Sequence, residues 1–176
     1  MLEIELKREE LQSFIDAMAR LKGDKVYAAV RNASKRGATT ARKVGTQKLK
    51  GIYELKKTKV LKSGMTFLPE KDGTTLTIRG ILLPITNFKA KKNKKGPVFV
   101  TVKKGKTVEV PNAFKVGGST NPFAIRLGKS RLPTRGLYGP SLPQMMGNKD
   151  VVNEMEKAGM DMFENRLFHE VERVIK

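Results

Sequence analysis

Residue types able to do chemistry are scarce in this chain of 176 residues, and their spacing does not bring them together. There is no cysteine and one histidine, His169, so no second soft ligand or imidazole completes a metal or nucleophile set. Gly128-Lys129-Ser130 imitates the end of a phosphate-binding loop. Phe123, however, stands where that loop needs its first glycine, and Asn121-Pro122 ahead of it does not give a wrapped turn. Metal-assisted hydrolysis needs converging carboxylates. Between residues 23 and 147 the acids are Asp24, Glu54, Glu70, Asp72 and Glu109, placed at a helix start, at a hairpin turn or singly. The sequence thus predicts no catalytic residue, no metal site and no cofactor, which leaves binding and assembly.

Charge says what such a surface would bind. The chain has 36 Lys and Arg against 17 Asp and Glu, a net charge of +19. Residues 1–22 carry 4 basic and 5 acidic groups, 23–147 carry 27 and 5, and 148–176 carry 5 and 7, so the nets are −1, +22 and −2. A basic centre between near-neutral ends implies a surface that faces something anionic, either nucleic acid or acidic protein. Zinc-finger spacing, a helix-turn-helix pattern and an aromatic stacking platform are all absent from the sequence, so nucleic-acid contact would be through phosphates and without sequence preference. The longest apolar stretch, near Ile81 to Ile85, is far too short for a membrane helix, and MLEIELKREE does not read as a secretory signal. A soluble chain made in the cytoplasm, without membrane contact, is expected.

The elements that must carry these charges follow from periodicity. Leu2, Ile4 and Leu6 alternate like a short strand, and Leu11, Phe14, Ile15, Met18 and Leu21 then form a helical stripe that Gly23 ends. A second helix is predicted over about Lys25 to Lys48, with Asp24 as its cap. At about 100° per residue, Val26, Ala29, Val30, Ala33, Gly37, Ala41, Val44 and Gly45 share one half of its wheel. Lys25, Arg31, Lys35, Arg36, Arg42, Lys43 and Lys50 share the other, with Lys48 straying. Small residues at every fourth position let another element approach closely; the basic half stays in solvent or meets a partner. Hairpins are expected at Thr66–Leu68 with Thr74–Ile78, around Lys71-Asp72-Gly73, and at Val98–Val102 with Thr107–Val110, around Lys103 to Lys106. Shorter strands are expected at Ile81–Ile85, at an edge because of Pro84, and at Phe123–Leu127. The run from Lys89 through Lys91, Lys92, Lys94 and Lys95 to Gly96 reads as a mobile, self-repelling loop. Residues 117–148 read as irregular, and a last helix from Asn148 or Asp150 carries Met160, Phe163, Leu167, Val171 and Val174, widened by Phe168 and Ile175.

The organisation predicted is a single α+β domain over 1–176. It comprises a helical part at 1–50 (an N-terminal helix pair), a central mainly antiparallel sheet at 51–128 with its loop at 89–96, an irregular docking segment at 129–147, and a C-terminal amphipathic helix at 148–176. In the docking segment Pro140 and Pro143 restrict the backbone before binding, while Leu137, Tyr138, Met145 and Met146 supply apolar anchors. The same segment reads equally as a rigid cover over the core.

Arg131-Leu132-Pro133-Thr134-Arg135 followed by LYGPSLPQMMGN, Leu137 to Asn148, directly before a long helix, resembles the minor tail protein Z family of long-tailed phages and prophages. The likeness extends loosely to the basic, alanine-bearing helix from Lys25 and the Lys-rich stretch Leu55 to Leu61; its specific part is about eighteen residues. The two hairpins and the lysine run at Lys89 to Lys95 match nothing in that pattern. The resemblance implies a tail completion role at the head-proximal end of the tail, with matching positions at Leu137, Tyr138, Gly139, Pro140, Ser141 and Pro143 and no catalytic residue. The expected protein is a structural virion component made in the host cytoplasm. It would self-associate into a ring, dock on tail or neck proteins, and meet an anionic partner through Arg31, Lys35, Arg36, Arg42, Lys43, Lys89, Lys91, Lys92, Lys94 and Lys95. The alternative is a sequence-independent DNA-binding protein.

Overall fold

A computed structural model describes residues 23–70, 73–92, 97–116 and 122–175. The architecture is α+β, helices combined with antiparallel sheets. The sequence reads as one domain; its contacts gather in two compact units. One includes residues 23–44, 67–70, 73–77 and 153–175, and the other 45–66, 78–92, 97–116 and 122–152. The predicted first strand and first helix lie outside the described residues.

In the first unit, helix α1 (Gly23–Ile52 in full) buries Ala29, Ala33 and Gly37 and exposes Lys25, Arg31, Lys35, Arg36 and Lys43. That is the division the wheel requires. Gly23 is helical, and Asp24 sits in the first turn, where the positive end of the dipole favours it. The small-residue seam meets helix α4 (Lys149–Ile175) at very close range: a Cβ added to Gly37 would lie 2.7 Å from the carbonyl oxygen of Gly159 and 3.2 Å from Cβ of Phe163. This close approach changes which side of α4 is covered. Met160 was expected in the apolar stripe and is 43% exposed, because it is one residue round from the Gly159 seam. Phe163, Leu167 and Phe168 are half-buried and Val171 is buried; Val174 and Ile175 lie outside the described side chains.

Strands β1 (Met65–Pro69) and β2 (Thr74–Ile78) form the first predicted hairpin. Among the described residues the strands gather in four small sheets, β1–β2 among them, and not in one central sheet. Three of the four lie in the second unit. Strand β3 (Leu82–Pro84) pairs antiparallel with β10 (Tyr138–Ser141). Strands β4 (Lys89–Lys92), β5 (Val98–Thr101) and β6 (Thr107–Val110) form an antiparallel meander in which β5 is central and Val98 and Val100 are buried. Strands β7 (Ala113–Lys115), β8 (Phe123–Arg126) and β9 (Thr134–Gly136) form a second meander. Helix α2 (Lys59–Ser63) follows α1 and buries Leu61, and a 3-10 turn at Ile85–Asn87 buries Ile85.

Two expectations are corrected here. Lys89, Lys91 and Lys92 belong to a strand and not to a mobile loop: Lys89, Ala90, Lys91 and Lys92 register with Thr101, Val100, Phe99 and Val98. Backbone pairing with an apolar neighbour holds them while their ammonium groups stay in solvent. Asn93 to Gly96, including Lys94 and Lys95, lies outside the described residues. Nor is 129–147 irregular, since it holds β9, β10 and helix α3 (Leu142–Met146). Leu137 joins two elements by its backbone, its N–H donating to Phe123 (2.8 Å) and its carbonyl accepting from Ile85 (3.1 Å). Ser141 then opens α3 with a capping box: its hydroxyl accepts from the Gln144 N–H, and the Gln144 side chain accepts from the Ser141 N–H at 2.9 Å.

Candidate functional site

Exposed cationic side chains are spread over many of the described elements; those the sequence singles out lie on α1 and on the first meander, each described within its own unit. On α1, Arg31, Lys35, Arg36 and Lys43 are exposed, and none of them pairs with a described acid. Arg42 differs. It is half-buried, with its guanidinium 4.4 Å from the centroid of the Phe67 ring on β1. Such a stacked cation contributes about 0.5–2 kcal/mol depending on its desolvation.

Arg31 and Lys35 line an open groove of about 440 Å³ together with Asn32, Phe67, Pro69 and Thr74. A hydrogen bond between the Ser34 and Thr74 hydroxyls, 3.2 Å, ties the helix wall to the hairpin wall.

On the first meander, Lys89 and Lys91 share one face, because alternate strand residues point the same way. Their cross-strand neighbours there are Thr101 and Phe99, and beyond these Thr107 and Glu109. Lys103, Lys104 and Lys106 add three exposed cations in the turn, which Gly105 closes with φ 76°.

The positions proposed for docking divide. Tyr138 and Pro143 are exposed, and Leu137, Gly139 and Pro140 are half-buried. Met145 and Met146, expected as anchors for a partner, are fully covered core residues, and Ser141 is buried as a cap. Gly139 has a packing reason to be glycine: a Cβ there would run into the ring of Phe88, itself fully buried. The apolar side chain that sequence reasoning passed over is Ile81, 83% exposed beside a groove lined by Val60, Leu83 and Leu142. Its only signal was a short apolar run ending at a proline, which reads as an edge strand.

Comparison with known proteins returns nothing that decides among these surfaces. No family model, no curated protein and no solved structure matches the chain.

Among the described residues no group of three His, Asp or Glu side chains is placed to hold a metal ion. His169 is exposed on α4. Next to it Glu170 is 4% exposed, with its two carboxylate oxygens 2.7 Å from Arg166 and 3.7 Å from Arg173. These i,i+4 and i,i+3 pairs neutralise a buried charge and occupy both oxygens. Among the described residues no helix is long and apolar enough to cross a membrane.

Proposed function

We propose that this protein is a structural component of a phage or prophage tail, a minor tail or tail completion protein at the head-proximal end. It works by assembling with copies of itself and with tail or neck proteins, and it meets an anionic partner through its cationic faces. The observation that carries the reading is the division of α1. One side is packed on α4 through Gly37 and Gly159, and the opposite side presents Arg31, Lys35, Arg36 and Lys43 without described acids to neutralise them. Cations left uncompensated on a rigid element cost the folded state self-repulsion, and a partner of opposite charge accounts for them. The order Leu137 to Asn148 followed by a long helix supports the tail assignment by its resemblance to the minor tail protein Z family.

The test is deletion of the coding segment from an inducible prophage. Particles purified by density should contain the chain in the parent and show lost infectivity and defective tails in the deletion, both restored by the chain supplied in trans. Fully infectious deletion particles would sink the reading. Sequence-independent DNA binding is the second reading, favoured by the same cationic side chains. It predicts salt-sensitive retardation of unrelated duplexes by the isolated protein, whereas a tail component binds its tail partners with no duplex present.

A further inference from the structure

We propose that the groove between α1 and the β1–β2 hairpin is a seat for single-stranded nucleic acid, taking one nucleotide with its phosphate at Arg31 and Lys35 and its base against Phe67. This deepens the anionic-contact part of the reading above and rests on it.

Arg31, Lys35 and Arg42 fall within about 40° of one another on the helix, so one stripe of three cations faces the hairpin. Arg42 is engaged on the Phe67 ring at 4.4 Å. Arg31 and Lys35, one turn apart, repel each other, and no acid is among the described residues that line the groove. An anion between them would offset that repulsion. The floor narrows the choice of anion. Phe67 and Pro69 present apolar surface within reach of both cations, and Asn32 adds an amide able to donate and accept. A carboxylate from an acidic peptide would use the cations and leave the ring idle; a nucleotide uses both, as base on aromatic and phosphate on cation. The volume, about 440 Å³, admits one residue of a polymer. Bases of a duplex are stacked inside the helix and cannot reach Phe67, so the strand must be single. The walls are set in advance, by the Ser34–Thr74 hydrogen bond at 3.2 Å and by the Arg42 stack, which lowers the ordering cost of binding.

The test is fluorescence anisotropy on the full chain with a labelled short oligothymidylate, a duplex of the same length, and poly-glutamate as competitor. The single strand should bind more tightly than the duplex. Phe67→Leu, which keeps an apolar side chain, should weaken the single strand by about fivefold or more and leave the duplex unchanged. Arg31→Gln with Lys35→Gln, both at exposed positions, should flatten the salt dependence of single-strand binding by about 0.7 in log–log slope, one phosphate's worth. Equal binding of single strand and duplex overturns the seat, as does a folded Phe67→Leu with unchanged affinity or displacement by poly-glutamate that ignores Phe67→Leu. Should Phe67→Leu fail to fold, the glutamine pair decides, and an unchanged slope overturns it. These outcomes are separate from the tail assignment, which stands or falls on the deletion particles.

Discussion

Gly37 and Gly159 face each other where α1 crosses α4, with only 2.7 Å between a Cβ placed on the first and the carbonyl oxygen of the second. Backbone cannot yield as a flexible side chain does, so Gly37→Ala should destabilise the protein by about 1–3 kcal/mol even after its better helix propensity is credited. Gly159→Ala meets the Ala41 methyl at 3.3 Å and should cost less. Urea titration of the two variants checks the order; equal midpoints with wild type at position 37 would remove the close crossing from the account.

Gly139 and Phe88 should be energetically coupled. Gly139→Ala drives a methyl into a buried ring and is expected to cost about 1–3 kcal/mol. Phe88→Leu should itself destabilise, by emptying part of the core, yet make Gly139→Ala cheaper. A double-mutant cycle reads this as a coupling energy above the additivity error of about 0.5 kcal/mol. Strict additivity would mean that the two residues do not meet.

Ser141 and Gln144 act as one device at the start of α3. Ser141→Ala should lose about 0.5–2 kcal/mol, and Gln144→Ala should lose a further amount even in that background, since each side chain satisfies the other residue's backbone N–H through a separate bond. A thermal melt that neither single variant changes would contradict the reciprocal cap.

Alkaline pH should expose Tyr53. Its ring is buried, and burial pushes its phenol above the ordinary value of 10 because the phenolate would be poorly solvated. Above pH 10 the unfolded chain releases this proton while the folded chain holds it, so stability falls as pH rises from 10 towards the raised value. Melting temperature should therefore decline less steeply over that range in Tyr53→Phe than in wild type. Parallel curves for the two proteins would place the phenol in solvent.

Much of the architecture is legible in the residues, and the failures share a cause. Periodicity and turn residues find α1, α4, the β1–β2 hairpin, the β5–β6 hairpin and β8; the alternation is plainest in β5, which buries Val98 and Val100 and leaves Phe99 and Thr101 half-buried. It misses β4, where three lysines in four residues hide a strand whose pairing comes from Val98 and Val100 on its neighbour. It misses β9 and β10 as well, since Gly136, Gly139 and Pro140 look like loop, whereas Gly136 registers with Ala124, and Tyr138 and Ser141 register with Pro84 and Leu82 on either side of an irregularity. Ser141 and Gln144 were readable as a capping box three residues apart, and that signal would have moved Met145 and Met146 from surface to core. Of the site, the basic side of α1 follows from sequence alone. Its groove does not, because Phe67 reaches Arg42 only through the tertiary placement of the hairpin.

The β4–β5–β6 meander has two outer strands whose backbone groups could recruit a foreign chain. On β4 the flanks are ammonium groups from Lys89, Lys91 and Lys92, which repel a like-charged copy of the same strand. On β6 the chain runs straight into Pro111, which has no N–H to offer and halts any extension of the ladder. The two outer strands of that sheet thus each carry a safeguard against fibrous aggregation.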